Sequence, residues 1–195
     1  MLFRSIAKPP KIVCLSTIGA QASQPNLLNQ LGLVEQSLSA HAVPCAFLRA
    51  AWFMENSLWD VAAARAGAMP SYLQPLDRAV PMIATADIGQ IAAGLLQQTW
   101  TGRRVVELEG DHRVTPTEMA AAFAKILGHD VRPEIVPRDS WRDLFVSQGM
   151  KNPTPRIQML DGFNQGWIEF ERNGTERAFG KTSFETVAAE LVKRV

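Results

Sequence analysis

The sequence predicts an α/β fold built on a parallel sheet, and three observations carry that expectation. Short apolar runs at Ile12–Leu15, Cys45–Arg49 and Arg104–Leu108 lack the polar–apolar alternation of a half-exposed strand, as strands covered on both faces do. Helical periodicity separates these runs. The intervening segments are also long enough for the crossover helix that parallel neighbours require.

Taken in order, "KIVCLS" is a buried-type strand that opens into the polar loop "GAQASQP". Leu27, Leu31, Val34 and Leu38 recur at helical spacing, with Asn26 placed to cap them, and His41–Pro44 ends that helix. "CAFLR" then completes a β-α-β unit. Thr85 or Asp87 caps a helix carrying Ile88, Ile91 and Leu95, and "RVVEL" is a third strand. "TPTE", Thr115 to Glu118, is a capping box with Pro at the first helical position, and its helix stops at Gly128. "VRPEIVP" reads as an edge strand because Pro133 cannot donate to a ladder, and "DSWRDLFVSQG" as a short helix stopped by Gly149. Leu160, Phe163, Trp167 and Phe170 keep helical spacing, and Thr182 with Glu185 makes a second capping box before a last helix. Pro-containing stretches at 69–81 and 151–155 are too short to separate independent domains.

Composition narrows the function. Twenty basic and nineteen acidic residues leave a net charge of +1, and no Lys/Arg run exceeds two residues, so a nucleic-acid partner is not expected. No run reaches the ~18 apolar residues of a membrane span, and "MLFRSIAKPP" lacks the pattern of a signal peptide. Cys14 and Cys45 sit in apolar strands and read as reduced thiols, which points to a cytoplasmic protein. His41, His112 and His129 have no ligand-spaced neighbours, so no metal site is expected.

Three absences are firm. No two of the thirteen glycines are separated by one residue, so the Gly-x-Gly-x-x-Gly turn that admits a pyrophosphate is missing from this chain. The single tyrosine, Tyr72, is followed four residues on by Leu76, which excludes a Tyr-x-x-x-Lys dyad, and no Gly-x-Ser-x-Gly elbow occurs. What remains is a cluster at the carboxyl ends of two parallel strands, where open α/β sheets bind ligands: Ser16 and Thr17 after the first, and "RAAWFMEN", Arg49 to Asn56, after the second.

"LSTIGA", "NLLNQLGLVEQSL", "VPCAFLRAAWFMEN", "ATADIGQIAAGLL" and "LEGDHRVTPTEMAAAFAKILG" resemble, in order and spacing, the second half of the NmrA-like proteins, the atypical branch of the short-chain dehydrogenase/reductase superfamily. The resemblance runs over about residues 8–150 and more weakly to "FGKTSFETVAAEL". It implies an incomplete Rossmann-like parallel sheet, comprising the later strands, with a small, mainly helical C-terminal substrate lobe. Residues 1–110 would be the C-terminal half of an NAD(P)-binding domain and 111–195 the substrate-side lobe. Members carry the glycine loop and first four strands ahead of the segment matching "KIVCLSTIGA".

Carried over by position, the resemblance implies that Ser16, Thr17, Arg49 and Phe53 contact NADP or NAD and that Trp52 and Asn56 face a small-molecule substrate. Ala50 stands where the family usually has Pro. Leu27 and Leu31 occupy the places of the superfamily's Tyr and Lys, which argues against classical carbonyl reduction. The family includes quinone reductases using direct hydride transfer and redox sensors that only bind the nucleotide. The residues also admit plainer roles: Ser16 and Thr17 as strand-end hydroxyls, Arg49 in an ion pair with Glu55 or Asp87, Asn56 as a turn cap, and Trp52, Phe53, Trp141 and Trp167 as packing. The strand "KIVCLS" would present an open edge, inviting low solubility or homodimerisation, and the chain alone is expected to be inactive, as a truncated product.

Overall fold

The structure is a computed structural model that describes residues 9–195; Met1–Lys8, part of the stretch scanned for a signal peptide and the first residue of the resemblance, lie outside it. The elements are β1 (Ile12–Thr17), α1 (Asn29–Ser39), β2 (Cys45–Ala50), β3 (Trp52–Phe53), a 3-10 segment (Met54–Asp60), α2 (Val61–Arg65), β4 (Ala68–Ser71), β5 (Met82–Ile83), α3 (Thr85–Gln97), β6 (Arg103–Gly110), α4 (Pro116–Leu127), β7 (Arg132–Ile135), α5 (Trp141–Ser147), α6 (Thr154–Gln165), β8 (Glu176–Gly180) and α7 (Phe184–Arg194). The expected α/β class is what the chain adopts.

A four-stranded sheet in the order β1-β2-β6-β8 is parallel throughout. Two small parallel pairs, β3 with β5 and β4 with β7, stand beside it. Every residue of β2 is buried, as its unbroken apolar run requires of a central strand. β1 differs from the fully buried strand expected of it: among the described residues it pairs only with β2, most of it is half-buried, and Leu15 is 47% exposed.

Helix α3 packs against β1, β2 and β8, and helix α1 against β1 and β2. The main core holds Ala46, Leu48, Ala50, Val106 and Leu108 of the sheet, and extends to Phe123, Trp141, Phe145 and Leu160 of the C-terminal helices. Strand β8 and helix α7, late in the chain, return to this sheet and core.

Local signals behave as their chemistry dictates. Thr115 Oγ1 accepts from the Glu118 N–H, Glu118 accepts from the Thr115 N–H, and Gly128 closes α4 in the left-handed region. Gly149 ends the α5 turn at φ +89.

Other expectations need correction. No side chain of its own caps α3; instead Glu55 accepts from the Thr85 N–H and hydroxyl, at 2.9 and 2.6 Å. Asp87 is 5% exposed and accepts from the N–H and hydroxyl of Thr182, so Thr182 is not the cap of α7; Ser183 is, accepting from the Thr186 N–H. The apolar stripe expected of α1 is split: Leu27 and Val34 are exposed, Leu31 and Leu38 are half-buried with Leu38 packed against Cys45, Phe47 and Val105, and Glu35 is the buried residue of that helix. Asn26 holds the turn before α1, its Oδ1 accepting from the Leu28 N–H.

Candidate functional site

Parallel register aligns Ser16, Arg49, Glu107 and Arg177 across β1, β2, β6 and β8. Residues paired in register share a face of the sheet, so this row and Glu109, two residues beyond Glu107, lie on the side covered by α1. The row is closed by ion pairs. Arg49, 3% exposed, donates from Nε and Nη2 to the two oxygens of Glu35, at 3.0 and 2.8 Å, and from Nη1 to Glu171 at 2.7 Å. The Ser16 hydroxyl donates to the same Glu35 at 2.5 Å, and Arg103 approaches it at 3.6 Å. Burial alone would lower the basicity of Arg49; the bonds to Glu35 and Glu171 outweigh it and raise it.

The partners come from the segment 169–172. Glu107, 1% exposed, accepts from the Glu171 N–H at 2.8 Å and from the Arg172 N–H, and Arg172 is held at φ +63, a region non-glycine residues avoid. Arg113 bridges Glu109 and Glu169, and Arg177 also reaches Glu109. Bonds from Arg113 and from the Phe170 N–H outweigh the opposing effect of burial and hold the Glu169 carboxyl below its usual range. Burial, with Glu35 and Cys45 nearby, pushes the Cys14 thiol up.

At the carboxyl ends of the strands, the turn after β1 passes through Gly19 at φ +72, where an added Cβ would lie 3.0 Å from Ile168. Trp52 and Phe53 form β3, half-buried, and the Trp52 ring meets Phe163 of α6 edge-on at 5.2 Å between centroids. Asn164, next to Phe163, accepts from the Gln74 N–H and donates to the Tyr72 carbonyl, so the loop after β4 is tied to α6.

No family model and no curated protein matches the sequence. Solved structures do. An NADPH-dependent quinone oxidoreductase from Escherichia coli superposes with a TM-score of 0.76 at 20% identity, over 96% of this chain and 70% of that one. A triphenylmethane reductase from Citrobacter sp. gives 0.76 at 17%, over 97% and 67%. The negative transcriptional regulator NmrA in complex with NADP gives 0.67 at 17%, over 98% and 67%. The chain shares the fold of these structures.

Within that fold the six expected site residues separate. Ser16 and Arg49 are brought together, but on Glu35, and their polar atoms are taken up inside the protein. The ion-pair partner of Arg49 is Glu35 with Glu171, not Glu55 or Asp87. Thr17 points to the other face, its hydroxyl donating to the Ile18 carbonyl at 3.2 Å. Trp52 and Phe53 line the carboxyl edge, and Asn56 is exposed in the 3-10 segment.

A dinucleotide needs a backbone cradle for its diphosphate, and these 195 residues contain no Gly-x-Gly turn to make one. The residues present therefore do not form a complete dinucleotide site. Thr17, Trp52 and Phe53 remain as groups able to meet a flat ring.

The glutamates that organise the sheet were missed from the sequence. Glu107 and Glu109 stand two apart in "RVVELEG", and this period-2 pair of acids in an apolar strand was the available signal that one face is charged. Glu171 lies 122 residues from Arg49 and had none. Among the described residues no group of His, Cys, Asp and Glu is placed to hold a metal, and no helix is long and apolar enough to cross a membrane.

Proposed function

We propose that this chain forms the acceptor-side part of an NAD(P)H-dependent reductase whose acceptor is a quinone or similar flat electrophile. The observation supporting this is the likeness to the quinone oxidoreductase over 96% of the chain, with aromatic side chains at the carboxyl edge where that fold binds ligands. The nicotinamide would supply a hydride. Thr17 and Phe53 would meet its ring and Trp52 would back the acceptor, with Ser16 and Arg49 as positioning residues that hold β1, β2 and the 169–172 segment in place. Asn56 sits at the mouth. Tyr/Lys proton transfer has no part, since the dyad is absent from the sequence.

The test is a fusion of residues 9–195 to the leading, dinucleotide-binding segment of the E. coli quinone oxidoreductase. The fusion should oxidise NADPH with a quinone, and Trp52→Ala should raise KM for the quinone about 10-fold while leaving NADPH affinity unchanged. A fusion that binds NADPH but reduces no acceptor would overturn this reading. It would favour a nucleotide-binding regulator, which the missing dyad and the likeness to NmrA also support.

A further inference from the structure

We infer that the notch between the amino-terminal ends of β6 and β8 is a binding site for a small organic carboxylate. The strand ladder explains why a notch is there. The N–H of Cys45 bonds to Gly102 and that of Ala51 to Leu108, so the even-numbered residues of β6 turn their backbone groups to β2 and the odd-numbered ones to β8. Pairing with β8 begins only at Val106 with Glu176. Ahead of that point Glu107 draws the N–H groups of Glu171 and Arg172 to itself, and left-handed backbone at Arg172 and Gly174, φ +63 and +70, turns the chain before it joins β6. The N–H of Val105 therefore faces the notch, and among the described residues no acceptor meets it.

The notch is a cavity of about 270 Å³ lined by Arg103, Arg104, Glu171, Asn173, Thr175 and Glu176. Its two carboxylates already have partners. Glu171 is taken by Arg49 at 2.7 Å, and Glu176 accepts from Nε and Nη2 of Arg104, both at 2.7 Å, while Nη1 of Arg104 goes to Gln98. Arg103 is the cation left over. The carboxylate it approaches, Glu35 at 3.6 Å, already accepts from Arg49 and Ser16. The Arg103 side chain is 49% exposed, and its guanidinium lies 5.7 Å from the centre of the Phe47 ring. The Thr175 hydroxyl is enclosed with no partner among the described residues.

These features select the occupant. One uncommitted guanidinium calls for one negative charge, and its planar fork matches the two oxygens of a carboxylate. The Val105 N–H and the Asn173 amide supply neutral donors beside it. A doubly charged phosphate would stand against Glu171 and Glu176 with only one cation left to offset it. The volume lies just under the ~300 Å³ at which sites for drug-sized ligands begin, so the occupant is small. The notch sits at the amino ends of its strands, opposite the carboxyl edge, and its assignment is independent of the acceptor reading.

Calorimetric titration of the full chain with benzoate, a flat monocarboxylate, tests the inference. Saturable binding is expected in the millimolar range, with none for benzamide, the uncharged analogue, and nothing tighter for phenyl phosphate. Arg103→Gln should weaken benzoate binding at least about 10-fold, with unchanged circular dichroism, while Arg132→Gln, exposed on β7 and outside the notch, leaves it intact. Amide resonances of Val105 and Gly174 should shift with benzoate in the parent and stay still in Arg103→Gln. No saturation at tens of millimolar, equal binding of benzamide, or binding indifferent to Arg103→Gln would overturn the inference. Tighter binding of phenyl phosphate would overturn the carboxylate and put a phosphoryl group in its place.

Discussion

The two faces of the central sheet are built from the same strands by opposite means. On one, Ala46, Leu48, Ala50, Val106 and Leu108 join the main core. On the other, Arg49, Glu107 and Glu109 are buried among Glu35, Glu169, Glu171, Arg113 and Arg177. The period of two in a strand makes this possible, since alternate residues of β2 and β6 serve the two layers. Apolar burial is non-directional and scales with area. A buried charge, by contrast, is tolerated only while each partner stays in place. The charged face therefore contributes less net stability per residue but fixes geometry more strictly. What it fixes is the segment 169–172, which leads into β8.

Breaking the charged face should cost most. Arg49→Met leaves Glu35, with a side chain 5% exposed, without its principal partner, and a loss of about 3–5 kcal/mol is expected from urea denaturation. Adding Glu35→Leu should restore much of that loss, giving a coupling of about 2 kcal/mol in the double-mutant cycle. If the two losses simply add, the pair is not the unit that holds this face. Breaking the apolar face is the next largest effect. Leu108→Ala, at a fully buried site, should cost about 3 kcal/mol, with no dependence on salt between low and moderate ionic strength. A salt-dependent loss there would erase the distinction between the faces.

The apolar half of this design was legible in the sequence and the charged half largely was not. "CAFLR", "RVVEL" and the "TPTE" box announce elements whose cause is local: unbroken apolar runs and a cap three residues from its partner. The helix α1 was only half legible because its stripe is read by spacing, whereas the sheet beneath it is mixed: Leu38 packs on Phe47 and Cys45, but Arg49 on the same face draws in Glu35 and leaves Val34 outside. Thr182 and Glu185 have capping-box spacing, yet Asp87, 95 residues earlier, takes the threonine. The pairing of Trp52 with Phe163 and of Arg49 with Glu171 is likewise a product of the fold, joining residues with no common local pattern. Ser16 and Arg49 stand out in the sequence only as strand-end polar groups, and the structure bonds both to Glu35. Their partner, and hence the direction in which they face, required the register.

The smallest expected effect sharpens the comparison through a half-buried carboxyl that has no cation beside it among the described residues. Asp60 ends the 3-10 segment that packs against α7, and burial alone pushes its carboxyl up to about 7. A carboxyl whose folded value lies above its unfolded value of about 4 binds its proton more tightly in the folded state. Its contribution to stability is thus fully present below about pH 4 and is lost as pH rises through 7. Asp60→Asn removes the ionisation, so the variant should gain on the parent between pH 5 and pH 8 by on the order of 1 kcal/mol, reduced for partial exposure. Thermal melting of both proteins at the two pH values measures it. If the parent instead gained stability toward pH 8, Asp60 would have to be held by a cation. Asp60, beside α7, would then obey the same pairing rule as Glu35 of α1.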